Sequence, residues 1–414
     1  MAVLKNVHNS LSSVIQAAGL SISSPGLHQR FNQGAVDFLS SQLGRILAIN
    51  LGISKRLQLR LSKQFKRVLI IDSSGWNLHR KLKKAFKGSG GSGSPAGIKL
   101  QFVFDLLSSA ITHFDITQGN VPDQKYTNNI PGWLKKDDLI LFDLGYFRLT
   151  VLNKITSIGA FFVARLLHGT ALFVRHNGEL KRLNLVSLLR KFKDTPVFEL
   201  EVYLGAQAKV PCRVIVVQLS SKQRDAKIRK LRKKAQKKGR ALSKMERFLA
   251  GYNLYVTNAP VDKLCAAEIS QVYRLRWSIE LLFKQFKSTL KLHEWNHGNK
   301  FRLQCEILGT LIVAAIIMMF HGRAQSLLWN KDAHEISFEK LFKLFKNKAQ
   351  LLFDGILLSV KTLRNTIRKL LQLILSRCIK EARSSRPSSI QALETLDNQK
   401  IIQVPKHIVL RCVV

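Results

Sequence analysis

The sequence predicts a mixed α/β fold with helical ends, and three observations carry that reading. Short apolar, partly β-branched runs begin at Lys66 and recur toward residue 143. A second group of such runs lies between Phe161 and Leu219. Before residue 62 and beyond Ser337, apolar residues recur only at helical spacing. Strands mixed with helical segments suit a mixed sheet with helices beside it.

The N-terminal elements read as helices over residues 10–18 and 34–49, separated by Gly19-Leu-Ser-Ile-Ser-Ser-Pro-Gly26. Pro and Gly break helices there, and the serines can cap a short helix at residues 27–31. Two readings fit. One is a helix-turn-helix-like unit in which His28, Gln29 and Arg30 meet a DNA groove; the other is a plain helical cap on the next domain.

Lys66-Arg-Val-Leu-Ile-Ile-Asp72 reads as a buried strand ending in a carboxylate. The stretch from Gly88 to Gly97 lacks the Lys-Ser/Thr ending of a phosphate loop and precedes a strand, so it reads as a flexible connection. Strands are expected at residues 99–106, 110–117 and 139–143, the last again closing on a carboxylate, Asp143. Further strands at 161–166, 171–176, 198–205 and 212–219 make a β-rich unit far longer than a single connection needs. The Lys/Arg-dense segment 221–247 reads either as a solvated block or as a helix that meets phosphate. A strand at residues 254–258 leads onward. The apolar run 307–320 is shorter than the roughly 18–20 residues of a bilayer span, and Glu306 and His321 flank it; it reads as a buried core helix. Five regions result: 1–62, 63–160, 161–250, 251–325 and 326–414.

Charge narrows the function. Lys and Arg number 67 against 26 Asp and Glu, a formal excess of 41 in a chain of 414 residues. Repulsion of this size opposes compaction, so a polyanionic partner is expected, and DNA or RNA fits best. With 46% hydrophobic residues, the chain can bury large cores and reads as an enzyme or large binder. Its five cysteines are scattered, with neither paired nor zinc-ligand spacing, which predicts free thiols and a reducing compartment. No signal-peptide pattern opens the sequence.

The chemistry concentrates in Tyr273-Arg-Leu-Arg-Trp-Ser-Ile-Glu-Leu-Leu-Phe-Lys-Gln-Phe-Lys287. On one continuous α-helix, Tyr273, Arg276, Glu280 and Lys287 fall within an arc of about 60°. Leu275, Ile279, Leu282 and Phe286 then line a core-facing side. Asp72, Asp143 and Glu280 are three carboxylates suited to Mg²⁺ or Mn²⁺, hard cations that prefer oxygen. Two such ions can clamp a phosphodiester. Arg276 can grip phosphate with two bonds and Lys287 acts as a point charge. Trp277 reads either as a platform for a displaced base or as core packing.

This stretch resembles the Tyr-Arg-Glu-Lys signature of DDE transposases of bacterial insertion sequences, specifically insertion sequence family four. Asp143-Leu-Gly-Tyr-Phe resembles the family's second motif, and Asp72 after Val-Leu-Ile-Ile its first. The resemblance spans about residues 67–295 and implies a ribonuclease-H-like mixed sheet with flanking helices and a β-rich insertion before the catalytic Glu. It implies that Asp72, Asp143 and Glu280 bind two Mg²⁺ or Mn²⁺ ions, while Tyr273, Arg276, Trp277 and Lys287 meet double-stranded DNA; Lys284 on the same stretch and Arg30 at the N-terminal helices are expected as further DNA contacts beside it. It further implies a homodimer that cuts element ends, often through a hairpin, and joins 3′-hydroxyls to target DNA in the bacterial cytoplasm and nucleoid, with no membrane involved.

Overall fold

The computed structural model describes residues 2–5, 10–53, 57–90, 94–294, 297–381, 388–395 and 402–403. The chain forms two compact units, one of residues 1–122 and 276–387, the other of residues 123–275 and 388–414. The division between Leu275 and Arg276 falls inside the stretch that the sequence places on a single helix.

In the first unit, strands β1 (Arg67–Asn77), β2 (Gly97–Asp105) and β3 (Ala110–Gln118) form an antiparallel ladder. β1 runs five residues past Asp72, pairing Asp72 with Phe102 and Trp76 with Ile98. Asp72 is therefore within a strand and not at its end, a correction to the sequence reading. The polar Ser73-Ser-Gly-Trp-Asn segment hides the continuation, because backbone pairing to β2 and not apolar content extends it.

Helix Lys300–Asp332 packs against helix Gln33–Ile53 and helix Phe338–Asn347. The expected core helix thus runs well beyond residues 307–320. It is long and apolar enough to cross a membrane by length and composition, but more than half of its most apolar window is buried in the fold. Its two expected stops are satisfied in place. Glu306 is bonded by Arg302 at 2.8 Å and faces His297 at 3.2 Å, and the His321 ring stacks on Phe338 at 4.6 Å. Complete burial lowers the His321 pKa to about 4. Helices Ala349–Leu358 and Val360–Arg377 continue the helical C-terminal part.

In the second unit, β4 (Asp138–Leu141) runs parallel to β5 (Phe161–Arg165). β6 (Leu172–His176), β7 (Glu179–Arg182), β8 (Val197–Leu204), β9 (Val210–Gln218) and β10 (Tyr252–Thr257) continue the sheet antiparallel in the order β4-β5-β10-β9-β8-β6-β7, and Ile402–Gln403 adds a short parallel pairing to β8. The mixed α/β class and the surplus strands agree with the sequence reading. β7, written Glu-Leu-Lys-Arg, has no strand-like pattern; hairpin pairing to β6 creates it. The basic segment folds into helices Ser221–Gln236 and Lys244–Leu249, each opened by a capping box. Cys212, Cys265, Cys305 and Cys378 are free thiols; Cys412 lies outside the described residues.

Candidate active site

The signature stretch forms two helices, Ala266–Arg274 and Trp277–Ser288. The Leu275 amide bonds to Val272 oxygen and the Ile279 amide to Arg276 oxygen, both three residues back, so the α-helical ladder lapses at Leu275–Arg276. The single stripe from Tyr273 to Lys287 is thereby corrected: Tyr273 belongs to the earlier helix. Its ring is only 4% exposed, packed 5.3 Å from Tyr255 and with the Arg165 guanidinium 5.4 Å away.

Helix Trp277–Ser288 is held by its apolar side. Ile279, Leu282, Phe283 and Phe286 are buried, with the Phe283 ring tilted at 5.5 Å and the Phe286 ring edge-on at 5.4 Å to Phe102 of β2, and Phe286 meeting Phe342 at 6.1 Å. This packing fixes the helix beside the β1–β2 ladder. Arg276 Nη2 donates to Glu280 Oε1 at 2.8 Å, one helical turn on, and Nη1 to Asp72 Oδ2 on β1 at 3.4 Å. One guanidinium fork therefore ties two carboxylates that are 208 positions apart in sequence, being residues 72 and 280. The Arg276 side chain is 9% exposed, against 19% for Asp72 and 36% for Glu280. The cation is enclosed while both anions retain a solvent side. Asp72 is oriented further by the Ser73 amide, which donates to its Oδ1 at 2.8 Å.

Lys287 Nζ reaches Gly75 oxygen on β1 at 3.4 Å, and partial burial lowers its pKa. Trp277 is 57% exposed, so it does not serve the core, and Lys284 is exposed on the same helix. Arg30 is exposed at the end of helix Ser24–Gln29.

Asp143 follows β4 by two residues and caps the short turn Leu144–Tyr146, accepting from the Gly145 amide at 2.8 Å. A Cβ at Gly145 would stand 2.9 Å from Asp143 Oδ1, so the glycine of the Asp-x-Gly-Tyr motif leaves room for the capping carboxylate. Tyr146 is fully buried and anchors the turn.

One contributor was not read from the sequence. Arg213 on β9 is buried with Glu199 of β8 and donates to Ala259 oxygen at 2.9 Å and Leu264 oxygen at 2.6 Å. It clamps the loop that leads from β10 into helix Ala266–Arg274. The only sequence signal is an Arg in an apolar strand, and its partners follow from register and loop path.

The donors at Asp72 and Glu280 are carboxylate oxygens sharing one cation, a chemistry that suits a hard divalent ion. Among the described residues, no group of three His, Cys, Asp or Glu side chains is close enough together to hold a metal ion.

A family model described as transposase DDE domain matches residues 63–316, and the chain belongs to this family. Among curated relatives, the transposase for insertion sequence element IS231B of Bacillus thuringiensis subsp. berliner is 28% identical over 377 residues, spanning 88% of this chain and 79% of that protein. The transposase for insertion sequence element IS231D of Bacillus thuringiensis subsp. finitimus is 29% identical over the same shares of the two chains. The transposase for insertion sequence element IS1151 of Clostridium perfringens is 27% identical over 330 residues, 76% of this chain and 70% of that protein.

Proposed function

We propose that this chain is an insertion-sequence DNA transposase of family four that binds terminal inverted repeats, cuts at the element ends and joins the 3′-hydroxyls to target DNA. The observation that carries the reading is the Asp72–Arg276–Glu280 arrangement, two partly open carboxylates held on an enclosed guanidinium. Membership of the transposase DDE domain family and relatives named as insertion-sequence transposases support it.

In this reading Asp72, Asp143 and Glu280 hold two Mg²⁺ or Mn²⁺ ions in a ribonuclease-H-like core, with residues 161–250 as the β-rich insertion. Bound there, such ions would supply activation of water or a 3′-hydroxyl and charge to steady the leaving oxygen. The protein's own groups bind and orient the DNA. Arg276, placed between its two carboxylates, brings its planar fork to where it can grip a phosphate with two bonds. Lys287 contributes a point charge near β1, and Lys284 adds another. Trp277 offers an exposed ring to a base displaced from the duplex. Tyr273 donates to a phosphate once its packed cluster opens, and Arg30 contacts DNA from the N-terminal helices. Two copies of the chain act together on two element ends.

The test uses purified protein, labelled DNA carrying the element ends and a supercoiled target, with and without Mg²⁺, comparing the natural chain with Asp143→Ala. The reading requires Mg²⁺-dependent cleavage and covalent joining that Asp143→Ala abolishes. Cleavage without joined products would instead define a nuclease, and binding without cleavage by folded protein a DNA-binding relative that lacks the chemistry.

A further inference from the structure

Helix Ser221–Gln236 is built unlike the other helices of its unit. Over 16 residues it carries Lys222, Arg224, Lys227, Arg229, Lys230, Arg232, Lys233 and Lys234 against a single carboxylate, Asp225. At 100° per residue, Lys222, Arg229 and Lys233 fall within about 40° of one another, flanked by Arg232 and Lys230 on an arc of about 160°. All five are exposed. Ile228 and Leu231 are half-buried and Ala235 is buried on the opposite side.

Lys227 is the exception that fixes the orientation. Its ammonium turns inward to Tyr252 oxygen and to Asn253 Oδ1 at 3.2 Å. Of the nearby carboxylates, exposed Asp225 lies on the outer arc about 40° from Arg229 and offsets only part of its charge. Asp225 pairs with Arg224 at 3.6 Å, and Glu246 with Arg240 at 2.7 Å. Among the described residues, Lys222, Arg229, Lys230, Arg232 and Lys233 form no ion pair. Like charges at i,i+4, as at Arg229 and Lys233, destabilise a helix. This one is nonetheless ordered by its Ser220–Gln223 capping box and its packed inner side. The five outer cations are thus held in place and far outnumber the single carboxylate, Asp225, on their face.

We infer that the outer face of helix Ser221–Gln236 is a docking surface for duplex DNA, lying along the major groove and bonding phosphates without reading bases. The helix is about 24 Å long, matching about seven base pairs at 3.4 Å each. The B-form major groove admits an α-helix, whereas the deep, narrow major groove of A-form RNA does not, which favours DNA over duplex RNA. Lys and Arg side chains on such a face, where exposed Asp225 is the one carboxylate on the arc, position a duplex without specifying its sequence. The inference rests on the transposase reading only in the choice of DNA as partner, and its test requires neither cleavage nor metal.

The experiment measures binding of a random-sequence duplex across a salt series, without divalent metal, for the natural chain and for Arg229→Gln/Lys230→Gln/Arg232→Gln/Lys233→Gln. Gln preserves helix propensity, and circular dichroism verifies the fold. A control removes four exposed cations elsewhere, Lys361→Gln/Arg364→Gln/Arg368→Gln/Lys369→Gln. Each lost phosphate contact lowers the slope of log K against log salt by about 0.9, so the four-site helix variant should lose up to about 3.6 units and bind at least about tenfold more weakly near physiological salt. The control should lose less than about one unit. Equal losses in the two variants, an unchanged slope in the helix variant, or equal competition by duplex RNA would overturn the inference. A protein that passes this test but never cleaves DNA would fail the transposase reading while leaving the surface assigned.

Discussion

Two arginines, each paired with carboxylate, show how burial divides structure from chemistry in this chain. Arg213 and Glu199 are 8% and 5% exposed, and two backbone carbonyls take up further guanidinium bonds. Such a pair is closed to any ligand, and its role is to hold a loop. Arg276 is equally enclosed at 9%, yet its partners Asp72 and Glu280 are 19% and 36% exposed. Here the cation is fixed and the anions face outward, the arrangement expected where carboxylates receive something from solvent. The lesson is that the ion pair itself says little, whereas the exposure of its anionic half separates a brace from a site.

The largest effect that could break this contrast is catalytic. Loss of an outer-shell partner typically costs a metal site 10–100-fold, so Glu280→Gln, which alters a proposed direct donor, should lower end cleavage by more than about 10²-fold while DNA binding persists. Retained cleavage in a gel assay would remove Glu280 from the site.

Stability should divide the two arginines in the opposite sense. Arg213→Ala leaves Glu199 buried without its cation and should cost about 3–5 kcal/mol in urea unfolding. Arg276→Ala, whose partners reach solvent, should cost about 1 kcal/mol or less while impairing engagement of DNA ends. Similar unfolding losses in both variants would erase the distinction.

His321 extends the contrast to a buried group outside the chemistry. Its folded pKa of about 4 lies below its usual 6.5, because burial penalises the charged ring. Between those values the unfolded chain binds a proton that the folded chain does not. Its contribution is therefore complete above pH 6.5 and is lost as pH falls toward 4, by up to about 3 kcal/mol. Denaturant unfolding from pH 7 to 4 should show a smaller decline in His321→Leu than in the natural chain.

The smallest effect concerns the cap of the basic helix. Ser220→Ala removes the oxygen that accepts from the Gln223 amide and should cost about 1 kcal/mol, read as a slight fall in Tm. Loss of cooperative unfolding would mean that the helix is more deeply built into its unit than its exposed face indicates.

Much of the fold was legible because strands show either apolar runs or apolar residues interleaved with polar ones, and residues 110–117, 161–166 and 198–205 closely match the observed β3, β5 and β8. The carboxylates of the candidate site stood out because Asp143 follows such a run and Glu280 belongs to a stretch with dense spacing constraints. Three features were hidden for identifiable reasons. The lapse at Leu275–Arg276 involves neither Gly nor Pro, so nothing local marks it. The full length of β1 depends on its partner strand, and the full length of helix Lys300–Asp332 depends on tertiary partners for Glu306 and His321. Arg213 could not be distinguished from a surface arginine until register brought Glu199 to it.

The central claim is that Asp72, Asp143 and Glu280 act on one metal centre. The most direct measurement loads the protein with Fe²⁺, adds ascorbate and peroxide, and maps where the hydroxyl radicals cut the backbone. The account predicts cuts beside all three residues, suppressed by excess Mg²⁺ and lost in Asp143→Ala. Cuts beside Asp72 and Glu280 with none beside Asp143 would contradict it.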